Sequence, residues 1–217
     1  MPLIKSTQSD NATQFSHMNP VWVLHGFGAT KSWVRPLQLR LRELGWDATC
    51  YGYQAFVGTI EARAAKLITE IRSHYQQTNR PLYLVGHSMG GIVARIAAAE
   101  VGPEMVSKLV LICSPNGGSH IATRVERFVG ILFPMVAQMS DRRDSFVRQL
   151  PPPQIPCAII AAENDLVVKP ENTKIEGIEQ WKLVPGMHSA APWRKDVAEA
   201  IDLFLRTGSL TAQAMTS

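Results

Sequence analysis

"LVGHSMGGIVAR", Leu84 to Arg95, opens as a short apolar strand and closes as an apolar helix. Ser88 stands at the changeover, with Gly86 before it and Gly90 and Gly91 after it. A Gly-x-Ser-x-Gly pattern recurs by chance in many chains, so its context has to carry the reading. Here the context is a strand ending at Gly86 and a helix beginning after Ser88, which is a sharp turn between two buried elements. The central residue of such a turn is strained by on the order of 1 to 3 kcal/mol. A turn without a chemical task would more cheaply hold glycine at that centre. The turn also sets Ser88 at a helix N-terminus, whose free backbone N–H groups and partial positive charge steady a developing anion. Ser88 is therefore a candidate nucleophile, and the rest of the chain has to supply its partners.

Outward from this stretch, apolar strands alternate with helical patterns. "VWVLHGFG" (Val21 to Gly28) reads as a buried strand feeding a glycine-flanked loop. Trp33, Leu37, Leu41 and Leu44 fall on one helical face that stops at Gly45, and "DATCYGY" gives a weaker second strand. From Thr59, an N-cap with Glu61 in the first turn, Ala64, Leu67, Ile68, Ile71 and Tyr75 keep helical spacing. "PLYLVG" is the third strand and "GGIVARIAAAE" a helix too apolar to be anything but buried. "KLVLICS", "IPCAIIA" and "QWKLVPG" are strands four to six, and a closing helix carries Trp193, Val197, Ile201, Phe204 and Leu205 on one face. Strands that are apolar throughout and alternate with helices predict a parallel sheet covered on both sides.

This places one α/β domain over 20–207, between polar tails at 1–19 and 208–217. The segment 116–154, between strands four and five, is longer than a usual connection. Val125, Phe128, Val129, Leu132, Phe133 and Val136 follow a helical face there, and Pro134 breaks it, so two short helices are expected. The plain reading is the crossover that any parallel connection requires; the sharper one is an apolar lid over a pocket lined by Phe128, Leu132 and Phe133.

Bulk composition narrows the classes. With 46% hydrophobic residues the chain can bury a sizeable core, and its net charge of +4 comes from Lys and Arg interleaved with acids, a solvated face and not a nucleic-acid stripe. Cys50, Cys113 and Cys157 are far apart and form no Cys-x-x-Cys pair, so each is expected to pack in a strand as a small apolar residue, without disulfide or zinc. No signal-peptide core or membrane-length apolar run stands out, and a soluble cytoplasmic protein without cofactor is the expectation.

A serine hydroxyl attacks only if a base takes its proton and a carboxylate orients that base. Six histidines are available. His17 lies in the tail, His74 near the polar end of a helix, His25 in the first glycine loop as a shaping side chain, and His87 beside Ser88 but on the opposite side of the turn. His188, in "VPGMHSAAP" after the sixth strand, is preferred to His120, because active-site groups gather at the carboxyl edge of a parallel sheet. "AAENDLVV" after the fifth strand offers Glu163 and Asp165; Asp165 lies farther into the loop, before an apolar anchor, and is preferred. Backbone N–H groups of Met89, next after Ser88, and of Phe27 in "HGFGA" are the expected donors to an oxyanion.

Together these stretches resemble the α/β-hydrolase family, specifically its small lipase and carboxylesterase members. The resemblance runs from about Val21 to Leu205 and rests on "HGFG", "GHSMGG", "ENDLVV" and "GMHS"; "SPNGGSHIA" also resembles a bacterial lipase segment, with Asn116 where that pattern has histidine. It implies a three-layer fold on a minimal six-stranded sheet ordered 2-1-3-4-5-6, with Ser88, Asp165 and His188 as triad and Phe27 and Met89 as oxyanion donors. The expected substrate is a small ester with an apolar acyl chain, cleaved through an acyl-enzyme. A thioesterase or acyltransferase would use the same residues, and a non-catalytic binder of apolar ligands would share the scaffold.

Overall fold

The computed structural model describes residues 19–130 and 133–211. Six strands, β1 (Val21–Leu24), β2 (Ala48–Tyr51), β3 (Leu82–His87), β4 (Val106–Ile112), β5 (Cys157–Ala162) and β6 (Trp181–Val184), form one sheet in the order β2-β1-β3-β4-β5-β6. All five pairings are parallel, with β3 and β4 central and β1 in register with β3 from Val21 opposite Tyr83 to Leu24 opposite Gly86. The predicted order and class are those observed.

Each strand sends alternate side chains to two separate cores. On one face Leu24, Leu82, Leu84, Leu109 and Ile159 pack with α2 (Ile60–Thr78) and α3 (Met89–Val101). On the other, Val21, Val23, Val85, Val110 and Ile160 pack with α1 (Arg35–Glu43) and α7 (Lys195–Thr207). Each fully buried aliphatic side chain contributes about 1.5 to 3 kcal/mol of transfer free energy, which both faces require for a sheet with no wetted side. The Thr59 hydroxyl accepts from Ala62 N–H at 3.2 Å and starts α2, as its sequence position suggests. Among the described residues, no helix is long and apolar enough to cross a membrane.

Three readings are corrected. Among its described residues the segment after β4 contains three short helices, not two: α4 (His120–Val129), α5 (Pro134–Gln138) and α6 (Phe146–Gln149). Pro134 begins α5, because a proline in the first turn lacks only an N–H that would be unpaired anyway. Trp193 lies outside the last helix, in a 3₁₀ segment, His188–Trp193, and is 43% exposed. Its indole N–H donates to Trp33 O at 2.9 Å, while the Trp33 indole donates to Ser189 O at 3.3 Å, so each indole is fixed by the other's segment. Cys113 sits one residue beyond β4 with φ 49, not within a strand.

The long connection is fastened to the loop after β5. Ser119 Oγ donates to Val167 O at 2.6 Å, Gly117 N–H to Asn172 O at 2.6 Å, and Asn116 Nδ2 to Thr173 O at 2.7 Å. Asn116 Oδ1 accepts in turn from the buried Arg95 guanidinium at 3.1 Å, which also reaches the carbonyls of Leu150 and Pro151. These bonds hold the base of the insertion beside the loop that carries Asp165.

Candidate active site

Ser88 follows β3 with φ 55 and ψ −127, a conformation L-residues rarely adopt. Its N–H donates to Ile112 O at 2.8 Å, and its carbonyl accepts from Gly91 N–H at 2.9 Å, so both neighbouring elements pin the strained residue. The glycines around it answer to space. A Cβ on Gly86 would lie 2.4 Å from Gly91 Cα, one on Gly90 2.4 Å from His25 O, and one on Gly26 2.9 Å from Ser88 Cβ. Helix α3 and the loop after β1 can approach Ser88 this closely only without those side chains.

The structure brings three of the predicted side chains together. His188 Nε2 lies 3.0 Å from Ser88 Oγ, and His188 Nδ1 lies 2.7 Å from Asp165 Oδ2. The ionised carboxylate can only accept, so the proton of a neutral His188 ring sits on Nδ1 and the Nε2 lone pair faces the Ser88 hydroxyl. Asp165 is buried, and its Oδ1 accepts from Val167 N–H and Val168 N–H, each at 2.8 Å. The "LVV" after Asp165 thus anchors it through the backbone, with Val168 buried and Leu166 exposed. Glu163 is exposed, and Ser88's histidine partner is His188, not His120, which begins α4.

Phe27 lines a cleft of about 230 Å³ with Gly26, Trp33, Ser88, His188 and Ser189. The Tyr53 hydroxyl donates to His25 O at 2.5 Å and Gly28 N–H donates to Ala55 O at 3.2 Å, fixing the loop that carries Phe27. His25 shapes the same loop, its Nδ1 3.0 Å from Gly26 O and its ring stacked on Tyr53 at 4.4 Å. Met89 is the first residue of α3, one of the positions whose N–H an α-helix leaves without an internal partner. Of the pocket residues expected under the insertion, Leu132 and the side chain of Phe128 lie outside the described residues. Phe133 packs edge-on against Phe27 at 6.1 Å, and the cleft beside Ser88 is lined by Phe27 and Trp33.

His87 is a further correction. It does not turn away from the site but is buried beneath His188, with ring centroids 5.0 Å apart. Its Nε2–H donates to His188 O at 3.0 Å, and burial, then the neighbouring His188, push its pKa down to about 3. His25 is likewise lowered by burial. Cys113, which the sequence presents only as a small apolar residue, lies against Asp165: its sulfur, the carboxylate and the His188 imidazole have ligand atoms within 4.8 Å of one another. Burial and then the Asp165 charge push the Cys113 thiol far above its ordinary value. No sequence signal marks this contact, because the two residues meet from the ends of different strands.

A doubly covered parallel sheet with a strained serine between strand and helix, and Asp and His on later strand-end loops, defines the α/β-hydrolase fold. The chain belongs to the PGAP1-like alpha/beta domain family, whose model matches residues 53–173, a span that includes Ser88 and Asp165. A stretch of 66 residues is 35% identical to a triacylglycerol lipase of Pseudomonas fragi, covering 30% of this chain and 22% of that protein. Among solved structures, the lipase BlEst2 of Bacillus licheniformis superposes in its mature form with a TM-score of 0.71 at 16% identity, over 90% of this chain and 95% of that one. Its propeptide form gives 0.71 at 18% identity over 92% of this chain but 52% of the longer one. A monoacylglycerol lipase of Paleococcus ferrophilus gives 0.61 at 15% identity, over 88% and 97% of the two chains. The chain thus spans about half of the BlEst2 propeptide form, and the Pseudomonas match about a fifth of that lipase.

Proposed function

We propose that the protein is a serine hydrolase that cleaves carboxylic esters through an acyl-enzyme, with Ser88 as nucleophile, His188 as base and Asp165 as its orienting partner. The observation that carries this is the unbroken chain Ser88 Oγ to His188 Nε2 to Asp165, with links of 3.0 and 2.7 Å, on a serine held at φ 55 beside a cleft. His188 Nε2 takes the hydroxyl proton as Oγ attacks the ester carbonyl, and the imidazolium that forms is stabilised by Asp165. The same proton then passes to the leaving alcohol, and water activated by His188 releases the acid. The backbone N–H groups of Phe27 and Met89 are the proposed oxyanion donors, each worth about 2.7 to 4 kcal/mol in the transition state. The lipases that share the fold or a segment of sequence support an acyl ester as the substrate class.

Hydrolysis of p-nitrophenyl esters graded from acetyl to palmitoyl tests this reading. Purified protein is expected to turn over at least one of them, and Ser88→Ala to reduce its kcat by about 10⁶-fold. Full activity in Ser88→Ala would overturn the assignment.

A further inference from the structure

We propose that Cys113, Asp165 and His188 form a binding site for a thiophilic divalent cation such as Zn²⁺ or Cd²⁺, whose occupancy turns the hydrolytic site off. A thiol, a carboxylate and an imidazole have their ligand atoms within 4.8 Å of one another, with Nδ1 and Oδ2 at 2.7 Å. Sulfur, nitrogen and oxygen together match the preference of zinc, which binds sulfur at about 2.3 Å and imidazole nitrogen at about 2.0 to 2.1 Å. Its ligand atoms then stand roughly 3 to 4 Å apart. The carboxylate and imidazole, at 2.7 Å, have to part by roughly 0.6 Å or more, and the sulfur to draw inward.

The sulfur is offered by a rigid support. Cys113 is fully buried one residue after β4, and its N–H donates to Ile160 O at 2.8 Å. The Asp165 side chain is fully buried as well, whereas His188 reaches the cleft that contains Ser88, so a cation arriving through the cleft meets the imidazole first. Of the two other thiols, Cys50 faces the Gln38 amide oxygen at 3.2 Å on β2, and Cys157 is buried at the start of β5. Neither belongs to this cluster.

The proton balance explains why occupancy would be inhibitory. A bound divalent ion displaces the thiol proton to solvent, because a coordinating thiol is deprotonated outright. It also takes the Nδ1 lone pair of His188, so the single proton of the neutral ring moves to Nε2. Nε2–H can then donate to Ser88 Oγ but cannot accept its proton. No electrons are transferred, and a chelator reverses the change. The inhibitory consequence rests on His188 being the base; the binding itself does not.

The test uses the 217-residue chain carrying Cys50→Ser, titrated with Cd²⁺ while thiolate-to-cadmium charge transfer is followed in the ultraviolet. A saturable band of one equivalent is expected, retained in Cys50→Ser/Cys157→Ser and lost in Cys50→Ser/Cys113→Ser. Adding His188→Ala to the Cys50→Ser chain is expected to weaken Cd²⁺ binding by about tenfold or more, which keeps the test decisive if the Cys113 variant does not fold. In parallel, the Zn²⁺ concentration that halves ester hydrolysis, taken against each protein's own uninhibited rate, is expected to rise about tenfold or more in Cys113→Ser. Absence of the band, its persistence without Cys113, or Zn²⁺ sensitivity unchanged by Cys113→Ser would overturn the proposal. A Cys113-dependent band in a protein that cleaves no ester would support the cation site while removing the hydrolase reading.

Discussion

At the scale of single residues, the site depends on how little freedom Asp165 and His188 retain. Two backbone N–H groups hold Oδ1 of Asp165, which leaves Oδ2 aimed at Nδ1 of His188. An asparagine there keeps the shape but can donate to Nδ1, which then becomes the unprotonated nitrogen; the proton moves to Nε2 and the ring no longer accepts from Ser88. Asp165→Asn is therefore expected to lower kcat by about 10⁴-fold with KM little changed, read in steady-state ester hydrolysis. A loss below tenfold would mean that Asp165 does not set the tautomer. These residues were legible because chemistry restricts their types and a parallel sheet restricts their places to strand ends. The sequence favours Asp165 over Glu163 by its place farther into the loop and its apolar sequel, and the structure gives the reason in the N–H groups of Val167 and Val168. Cys113 was not legible: a small apolar-like residue at the end of a strand reads the same whether it faces the core or a carboxylate.

At the scale of elements, the decisive contact is that of α3 against β1 and the loop after it. Gly90 permits the backbone of α3 to lie where a methyl group would be 2.4 Å from His25 O and 2.9 Å from Leu24 O. Both atoms are backbone in a central strand and its loop, so neither can yield as a flexible side chain would. Gly90→Ala is expected to cost about 1 to 3 kcal/mol in urea unfolding. It should also lower kcat by about 10²-fold, because it moves Met89 and Ser88 away from the Phe27 loop. A variant with unchanged stability and rate would show that this close approach has no bearing on the site. The insertion was the least legible element. The spacing predicts a break at Pro134 in one helical face, whereas Pro134 opens a helix of its own, and a six-residue apolar pattern cannot distinguish these outcomes. The spacing of Trp193 fits the last helix, but Pro192 and the 3₁₀ turn place it outside, against Trp33.

At the scale of the whole molecule, apolar runs alternating with helical patterns make a covered parallel sheet legible, whereas the strand order comes only from what the α/β-hydrolase resemblance implies, and the sheet has that order. What spacing could not supply was depth. His87 lies buried beneath His188, and this has a consequence for the stability of the entire fold. Its pKa in the folded protein is about 3, against an ordinary value of 6.5. Between those values the unfolded chain binds a proton that the folded one does not, so stability rises with pH across the window and is lost as pH falls through it. The contribution of this one group reaches about 1.4 kcal/mol per pH unit, or about 2 kcal/mol between pH 6.5 and 5. Urea unfolding at pH 7 and pH 5 is expected to show that loss, and His87→Gln, which retains a donor for His188 O, to show a smaller one. Equal pH dependence in both proteins would mean that His87 titrates normally in the fold.

The most direct measurement of the central claim is covalent labelling of the folded protein by a fluorophosphonate, with the modified residue located by peptide mass spectrometry. A serine activated by His188 and Asp165 reacts at Ser88 alone, and labelling disappears in Ser88→Ala and falls sharply in His188→Ala. An unlabelled folded protein, or a label on any residue other than Ser88, would contradict the account.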